Sequence, residues 1–289
     1  MKIYLAGRCR GQKIKLVPRG ERKSNYIASD LSAYGNALRQ LSGLDYDDFM
    51  HGDRGEHKWP YTDHCGTVSR KEIVREFAEP LIYTADLMIA YIDDSLAYGT
   101  IAEIGMANAR ETPVVMLKLL PPCFSPQATQ AERISHFDAI DAMDDAYWFV
   151  SSLSNVRMFE SDKLSDFQHI VRQIDQVESP IELNLYLELF NGHSDLTLNL
   201  HTQYKVDKYR LDFAFPDCKL AIECDGHDYH STRDQRGRDA DRDRELTLQG
   251  WSVIRFTGSQ IHKNAEKCAD DVIRIYYARA RAATKTVTA

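Results

Sequence analysis

Tyr209-Arg210-Leu211-Asp212-Phe213-Ala214-Phe215, followed after Pro216–Lys219 by Leu220-Ala221-Ile222-Glu223-Cys224-Asp225-Gly226, decides how the second half of the chain is built. Each run is short and apolar, and polar or turn-forming residues bound it, which reads as a strand. The short break between them suits a hairpin, and hairpin pairing puts Asp212 beside Glu223. Two adjacent carboxylates repel, and burying them without a cation is costly. A hard divalent ion resolves the conflict, and an oxygen-only site suits Mg²⁺, with Mn²⁺ as the substitute. Such an ion activates water and stabilises charge on a phosphodiester. The competing reading, two acids on an exposed rim, fits poorly because both lie inside apolar runs.

Working outward, Ile181–Phe190 reads as a helix before this hairpin, and Leu196–Val206 as one more strand. A charged helix over 232–249 ends at Gly250. Ser252–Phe256 is a further strand and 264–282 a last helix, with Ala283–Ala289 as a frayed tail. The order αβββαβα predicts a mixed sheet. Upstream of Ser179-Pro180 the pattern differs. Lys2–Ala6 is a buried strand ended by Gly7, residues 30–43 a helix, and 44–68 a long loop rich in Gly, His and Asp. Ser69 opens a helix with Glu72 in capping-box position. Leu87–Ile92, Pro113–Leu120 and Asn155–Phe159 are strands, and Gly99–Arg110 and Lys163–Val177 helices. Alternation of this kind predicts a parallel-sheet, Rossmann-like (flavodoxin-like) α/β domain. The expected division is 1–176, 177–282 and a tail at 283–289.

Composition narrows the classes. The 289 residues are 43% apolar and 27% charged, with a net charge of −7, so disorder is not expected and global charge gives no support to polyanion binding. The first 23 residues carry eight Lys/Arg against one Glu. They read either as a solvated charge run or as a loop near a phosphate-bearing ligand. Six cysteines without C-x-x-C pairs argue against zinc or a disulfide framework and for free thiols in a reducing cytoplasm. No apolar run reaches membrane-spanning length, and no signal peptide is legible.

The segment Asp93-Asp94-Ser95-Leu96-Ala97-Tyr98-Gly99-Thr100-Ile101-Ala102-Glu103-Ile104-Gly105 leaves a strand and opens a helix. Ligands of open α/β sheets bind at such junctions. Gly99 allows close backbone approach, and the helix start favours a polar or anionic ligand. Glu103 reads two ways: as a desolvated nucleophile for an anomeric carbon, or as the acid of a Thr100-x-x-Glu103 capping box. Together with Lys2-Ile3-Tyr4-Leu5-Ala6-Gly7 and Ala85-Asp86, the Gly-Thr-x-x-Glu-x-Gly-x-Ala motif (99–107) resembles the nucleoside 2-deoxyribosyltransferase family over roughly 1–176. The resemblance implies Glu103 as a nucleophile on the sugar, Tyr4 as its orienting partner and Asp86 as the acid that handles base protonation. It implies Gly7, Gly99 and Thr100 as nucleoside-binding residues. Ala97-Tyr98 stands where the family often has an Asp, so Asp93 or Asp94 is the expected sugar ligand. Transferase and hydrolase chemistry both stay open.

Ser179-Pro180-Ile181-Glu182, Gln203, Asp212-Phe213, Glu223-Cys224-Asp225-Gly226-His227-Asp228-Tyr229-His230, Asp239-x-x-Arg242-x-x-x-Leu246, Gly250-Trp251 and Val253-Ile254-Arg255-Phe256 resemble the PD-(D/E)XK nuclease superfamily. The branch is that of the very-short-patch-repair endonucleases, and the likeness covers about 179–277. It implies a restriction-endonuclease-like fold. It also implies Asp212, Glu223 and the Cys224 carbonyl as metal ligands, and Glu182 as a further acid. Asp225 replaces the usual Lys, and His230 is the candidate for its charge. Arg236, Arg242, Arg255 and Gln203 are the DNA-facing candidates. The arginine-rich helix also reads as a solvated, salt-bridged one.

Two domains of this kind predict a bifunctional enzyme: glycosidic-bond cleavage or deoxyribosyl transfer on a nucleoside or nucleotide, and Mg²⁺-dependent cleavage of DNA. A role in defence against foreign DNA and a homo-oligomer are expected. The rival reading is a nucleotide-sensing first domain that gates the nuclease.

Overall fold

The computed structural model describes residues 3–7, 26–28, 79–92, 95, 98–190, 194–225 and 233–287. The helix expected at 30–43, the loop 44–68, and Asp93, Asp94 and His230 lie outside them. Two compact units divide the chain, Met1–Val171 and Arg172–Ala289.

In the N-terminal unit β1 (Ile3–Gly7), β2 (Tyr26–Ala28), β3 (Leu87–Ile92), β4 (Val114–Leu119) and β5 (Val156–Ser161) form one parallel sheet in the order β2-β1-β3-β4-β5. This is a flavodoxin-like order, whose switch point lies between β1 and β3. Every residue of β3 is buried, and so are the first five of β4. Continuous apolar runs are what a parallel sheet covered on both faces requires. The helices are α1 (Glu79–Tyr83), α2 (Tyr98–Asn108), α3 (Gln130–Ser151) and α4 (Leu164–Asp175). Sequence reasoning missed α3, although Thr129-x-x-Glu132 makes a full capping box at its start. Tyr4, Met88, Ala90, Ile104, Met116 and Tyr147 share one core cluster.

A buried lysine completes this unit. Lys118, on β4, is 1% exposed and donates to Glu160 on the adjacent β5 at 2.7 Å and to Asp144 of α3. Burial pushes its pKa down, but the two carboxylates outweigh it and the ammonium stays charged. Lys118→Met is expected to change stability by no more than about 1 kcal/mol, since the carboxylates it leaves behind, Asp144 and Glu160, are 56% and 38% exposed and are solvated by water. Removing only the acids, in Asp144→Asn/Glu160→Gln, strands the ammonium and is expected to cost about 3 kcal/mol. Urea denaturation of the three proteins checks this, and equal stability of the double variant would contradict it.

The C-terminal unit holds α5 (Pro180–Phe190), α6 (Ser194–Asn199), β6 (His201–Val206), β7 (Tyr209–Phe215), β8 (Leu220–Asp225), α7 (Arg233–Leu248), β9 (Ser252–Thr257), α8 (Gly258–Lys263) and α9 (Ala265–Val287). The sheet order is β6-β7-β8-β9, antiparallel except for the parallel β8–β9 pair. One expectation is corrected. The strand read over Leu196–Val206 begins only at His201, because Leu196 and Leu200 are both buried at helical spacing and the Leu200 N–H donates to the Leu196 carbonyl. The α9 helix runs past Ala283 to Val287. Gly250 stops α7 as read, with φ of 84° and the Trp251 N–H returning to the Leu246 carbonyl. Among the described residues no helix is long and apolar enough to cross a membrane.

Candidate functional site

Asp212 stands where the second sheet opens. On one side β6 pairs Thr202 with Phe213 and Tyr204 with Leu211, so Gln203 and Asp212 face each other across an interruption. Gln203 has φ of 49°, a left-handed backbone rare for a non-glycine residue. On the other side the β7–β8 ladder runs from Phe215↔Leu220 to Phe213↔Ile222 and ends one step short of Asp212 and Glu223. The Cys224 N–H then finds the Asp212 carboxylate, Oδ2 at 2.7 Å.

The acids at this opening are desolvated. Glu223 is 5% exposed, and burial first, then the Asp212 charge, pushes its pKa up to about 7 against the pull of Arg242 and Arg255. Asp212 is also raised, chiefly by burial, while the Cys224 N–H draws it back and Glu182 adds to the rise. The Cys224 thiol is pushed far up by burial and by four surrounding carboxylates. Among the described residues Asp212 Oδ1 and Glu223 Oε2 carry no hydrogen bond, one unclaimed oxygen from each acid. This hard-oxygen pair fits a divalent cation such as Mg²⁺. It is an open pair rather than a cage: no group of three or more His, Cys, Asp or Glu side chains converges among the described residues.

Glu182, the further acid of the cluster, lies close enough to raise Asp212. It accepts from Ser179 Oγ at 2.7 Å, from the Glu178 N–H at 3.0 Å and from Gln203 Nε2 at 3.1 Å. Its carboxylate is thus committed to the start of α5 and acts on Asp212 through its charge. The Ser179-x-x-Glu182 spacing was the sequence signal for that role. Gln203, read as DNA-facing, is bound to Glu182 instead, and its Oε1 is buried without a partner.

Arg242, one of the DNA-facing candidates, is paired within the unit. It does not face solvent as a free phosphate ligand: Nη2 donates to Glu223 Oε1 at 2.5 Å and to the Arg210 carbonyl at 3.0 Å. Leu246, one turn on, is fully buried, so this helix face points inward. Arg255, beside Glu223 in the β8–β9 register, reaches Asp243 at 2.7 Å and Asp225 at 3.5 Å. Asp225 therefore brings no cation where the usual Lys would stand, but meets one. Arg236 lies on α7, and its side chain is not among those described.

In the N-terminal unit the Tyr4 hydroxyl donates to Glu103 Oε1 at 2.7 Å. Tyr4 is fully buried and Glu103 half-buried. The pair is not at the strand ends: Tyr4 is the second residue of β1, level with Met88, and Glu103 lies in mid-α2. Thr100 is inside α2 rather than capping it, 1% exposed, and its hydroxyl has no partner. Among the described residues nothing lies within 4 Å of a Cβ placed on Gly99. Gly7 ends β1, next to the switch point. Asp86 is exposed at the amino end of β3, the edge opposite the β3–α2 junction, and the fold does not bring it to Gly99 and Thr100.

Residues 189–275 match the REase_MTES_1575 family, a restriction-endonuclease-like domain. The match takes in Gln203, Asp212, Glu223, Arg242 and Arg255 and leaves out Glu182. The uncharacterized protein YcjD of Escherichia coli (strain K12) is 34% identical over 74 residues, 25% of this chain and 59% of that protein's length. A crystal structure of a conserved protein from Enterococcus faecalis V583 aligns with 58% of this chain and 96% of its own, at 20% identity and a TM-score of 0.31, too low to carry an argument.

Proposed function

We propose that the C-terminal unit is a divalent-metal-dependent DNA endonuclease whose metal ligands are Asp212 and Glu223, with the Cys224 carbonyl as a third. The observation that carries this is the desolvated acid pair with one unclaimed oxygen on each member, at an opening of the sheet and inside the stretch that matches a restriction-endonuclease-like family. A bound Mg²⁺ supplies activated water and charge neutralisation at the scissile phosphodiester. The chain's own residues hold Asp212 in place through the Cys224 N–H, neutralise Glu223 through Arg242, and set Arg255 over Asp225 and Asp243.

For the N-terminal unit we propose a glycosyl site, with the Glu103 carboxylate attacking the anomeric carbon of a nucleoside or nucleotide, breaking the N-glycosidic bond and releasing the base, which takes a proton from solvent, while Tyr4 orients the carboxylate. The 2.7 Å hydrogen bond and the unpartnered Thr100 hydroxyl nearby in α2 support this reading. A covalent glycosyl-enzyme then passes its sugar to a second base or to water.

One pair of assays tests both. Purified full-length chain is expected to cut plasmid DNA with Mg²⁺ or Mn²⁺ and to stop in chelator. Product analysis with nucleosides and with NAD is expected to show released base. DNA left intact across a metal titration overturns the first reading. Nucleoside binding without base release overturns the second and favours a sensor.

A further inference from the structure

Arg242 makes a lopsided ion pair. An arginine committed to a carboxylate commonly presents two parallel N–H groups to its two oxygens. Here Nη2 alone reaches Glu223, at Oε1, and shares itself with the Arg210 carbonyl. Nε is buried and has no acceptor. The pair is nevertheless enclosed, with side-chain exposures of 19% for Arg242 and 7% for Glu223. Held by Nη2 and by the Tyr209 ring 5.8 Å away, with Nε idle, the half-buried guanidinium neutralises charge without making a closed structural clasp. The neighbouring Arg255 differs, since it binds Asp243 and Asp225 rather than the acid pair.

We infer that Arg242 is a displaceable counter-cation: it neutralises Glu223 through Oε1 while no metal is bound, and a divalent ion held by the unclaimed Asp212 Oδ1 and Glu223 Oε2 takes over that neutralisation and releases the guanidinium. The inference rests on the metal-binding reading above. No other arginine or lysine among the described residues is hydrogen-bonded to Asp212 or Glu223. Without Arg242 the two acids would have the metal as their nearest neutralising charge, so the exchange has a definite sign. Removing the guanidinium raises metal affinity, whereas a residue that merely positions Glu223 for the ion would lower it when removed.

The test needs no DNA and no turnover. Full-length wild type and Arg242→Met are titrated with MnCl₂ in a calorimeter. Arg242→Met is expected to bind Mn²⁺ about tenfold more tightly, an ordinary size for coupling between two ligands of one site. Equal or weaker binding in Arg242→Met, with wild type binding normally, overturns the exchange and leaves the metal site standing. Wild type that binds no Mn²⁺ overturns the metal reading itself. Should Arg242→Met not fold, MgCl₂ titration of wild type is followed by NMR of arginine Nε–H groups, with Arg242 assigned by its loss in Arg242→Lys. The Arg242 signal is expected to move in step with metal binding, and a signal that stays still while Mg²⁺ binds overturns the exchange.

Discussion

Asp212→Asn should leave the protein folded and reduce metal-dependent DNA cleavage by roughly 10²–10³ or more, the scale on which loss of one charge-stabilising group is felt in a preorganised site. The substitution removes the charge but keeps an oxygen that can accept from the Cys224 N–H, now bonded to Oδ2 at 2.7 Å. Asp212→Ala loses that acceptor as well, and leaving a buried N–H unpaired costs about 1–3 kcal/mol. Relief of repulsion on Glu223 offsets part of this. The asparagine variant is therefore the cleaner probe of chemistry, and the alanine variant the probe of stability. Cleavage of plasmid DNA under metal titration, alongside chemical denaturation, separates the two. Wild-type cleavage by Asp212→Asn would remove Asp212 from the metal site.

Glu103→Gln is expected to lower base release from a nucleoside by several orders of magnitude while leaving nucleoside binding largely intact. Glutamine matches glutamate in size and can still accept from the Tyr4 hydroxyl, so the loss falls on the attacking charge. Tyr4→Phe removes the orienting donor and leaves the nucleophile; a smaller loss, of about 10-fold to 100-fold, is expected for one positioning hydrogen bond. Single-turnover base release and equilibrium nucleoside binding measure both variants. DNA cleavage by Glu103→Gln should match wild type, since Asp212 and Glu223 belong to the other unit. An unchanged rate of base release would return Glu103 to the role of a structural acid.

Strands β1, β3, β4, β5, β7, β8 and β9 and most helices were legible because their apolar runs are short and well bounded, whereas β2, only Tyr26–Ala28, lies in a stretch from Arg8 to about Asp30 that reads as polar and irregular. Leu196–Leu200 misled because Leu196, Leu198 and Leu200 alternate, and that period also places Leu196 and Leu200 one helical turn apart. Asp212 and Glu223 could be brought together from hairpin arithmetic alone. The interruption at Gln203 could not, because a left-handed glutamine leaves no mark in composition. Arg242 was harder again. In a helix with five arginines among five acids, charge pattern does not show which guanidinium turns inward. The signal was Leu246, the apolar residue one turn beyond it. For Tyr4 and Glu103 the pairing came with the family resemblance. The meeting point in mid-sheet follows from the register of β1 on β3, which only the three-dimensional structure supplies.

The parallel β8–β9 pair has a consequence for the order in which the C-terminal unit is made. Parallel neighbours cannot be joined by a tight turn; the chain must cross over, and here the crossover is α7. Synthesis runs from the amino end, so the hairpin bearing Asp212 and Glu223 leaves the ribosome before Arg242, and Arg242 before Arg255 and its strand. A nascent chain thus carries the acids for a time without their counter-charges and without the strand that walls β8. The complete constellation of acids and their arginine partners exists only once Thr257 has been added and β9 has docked.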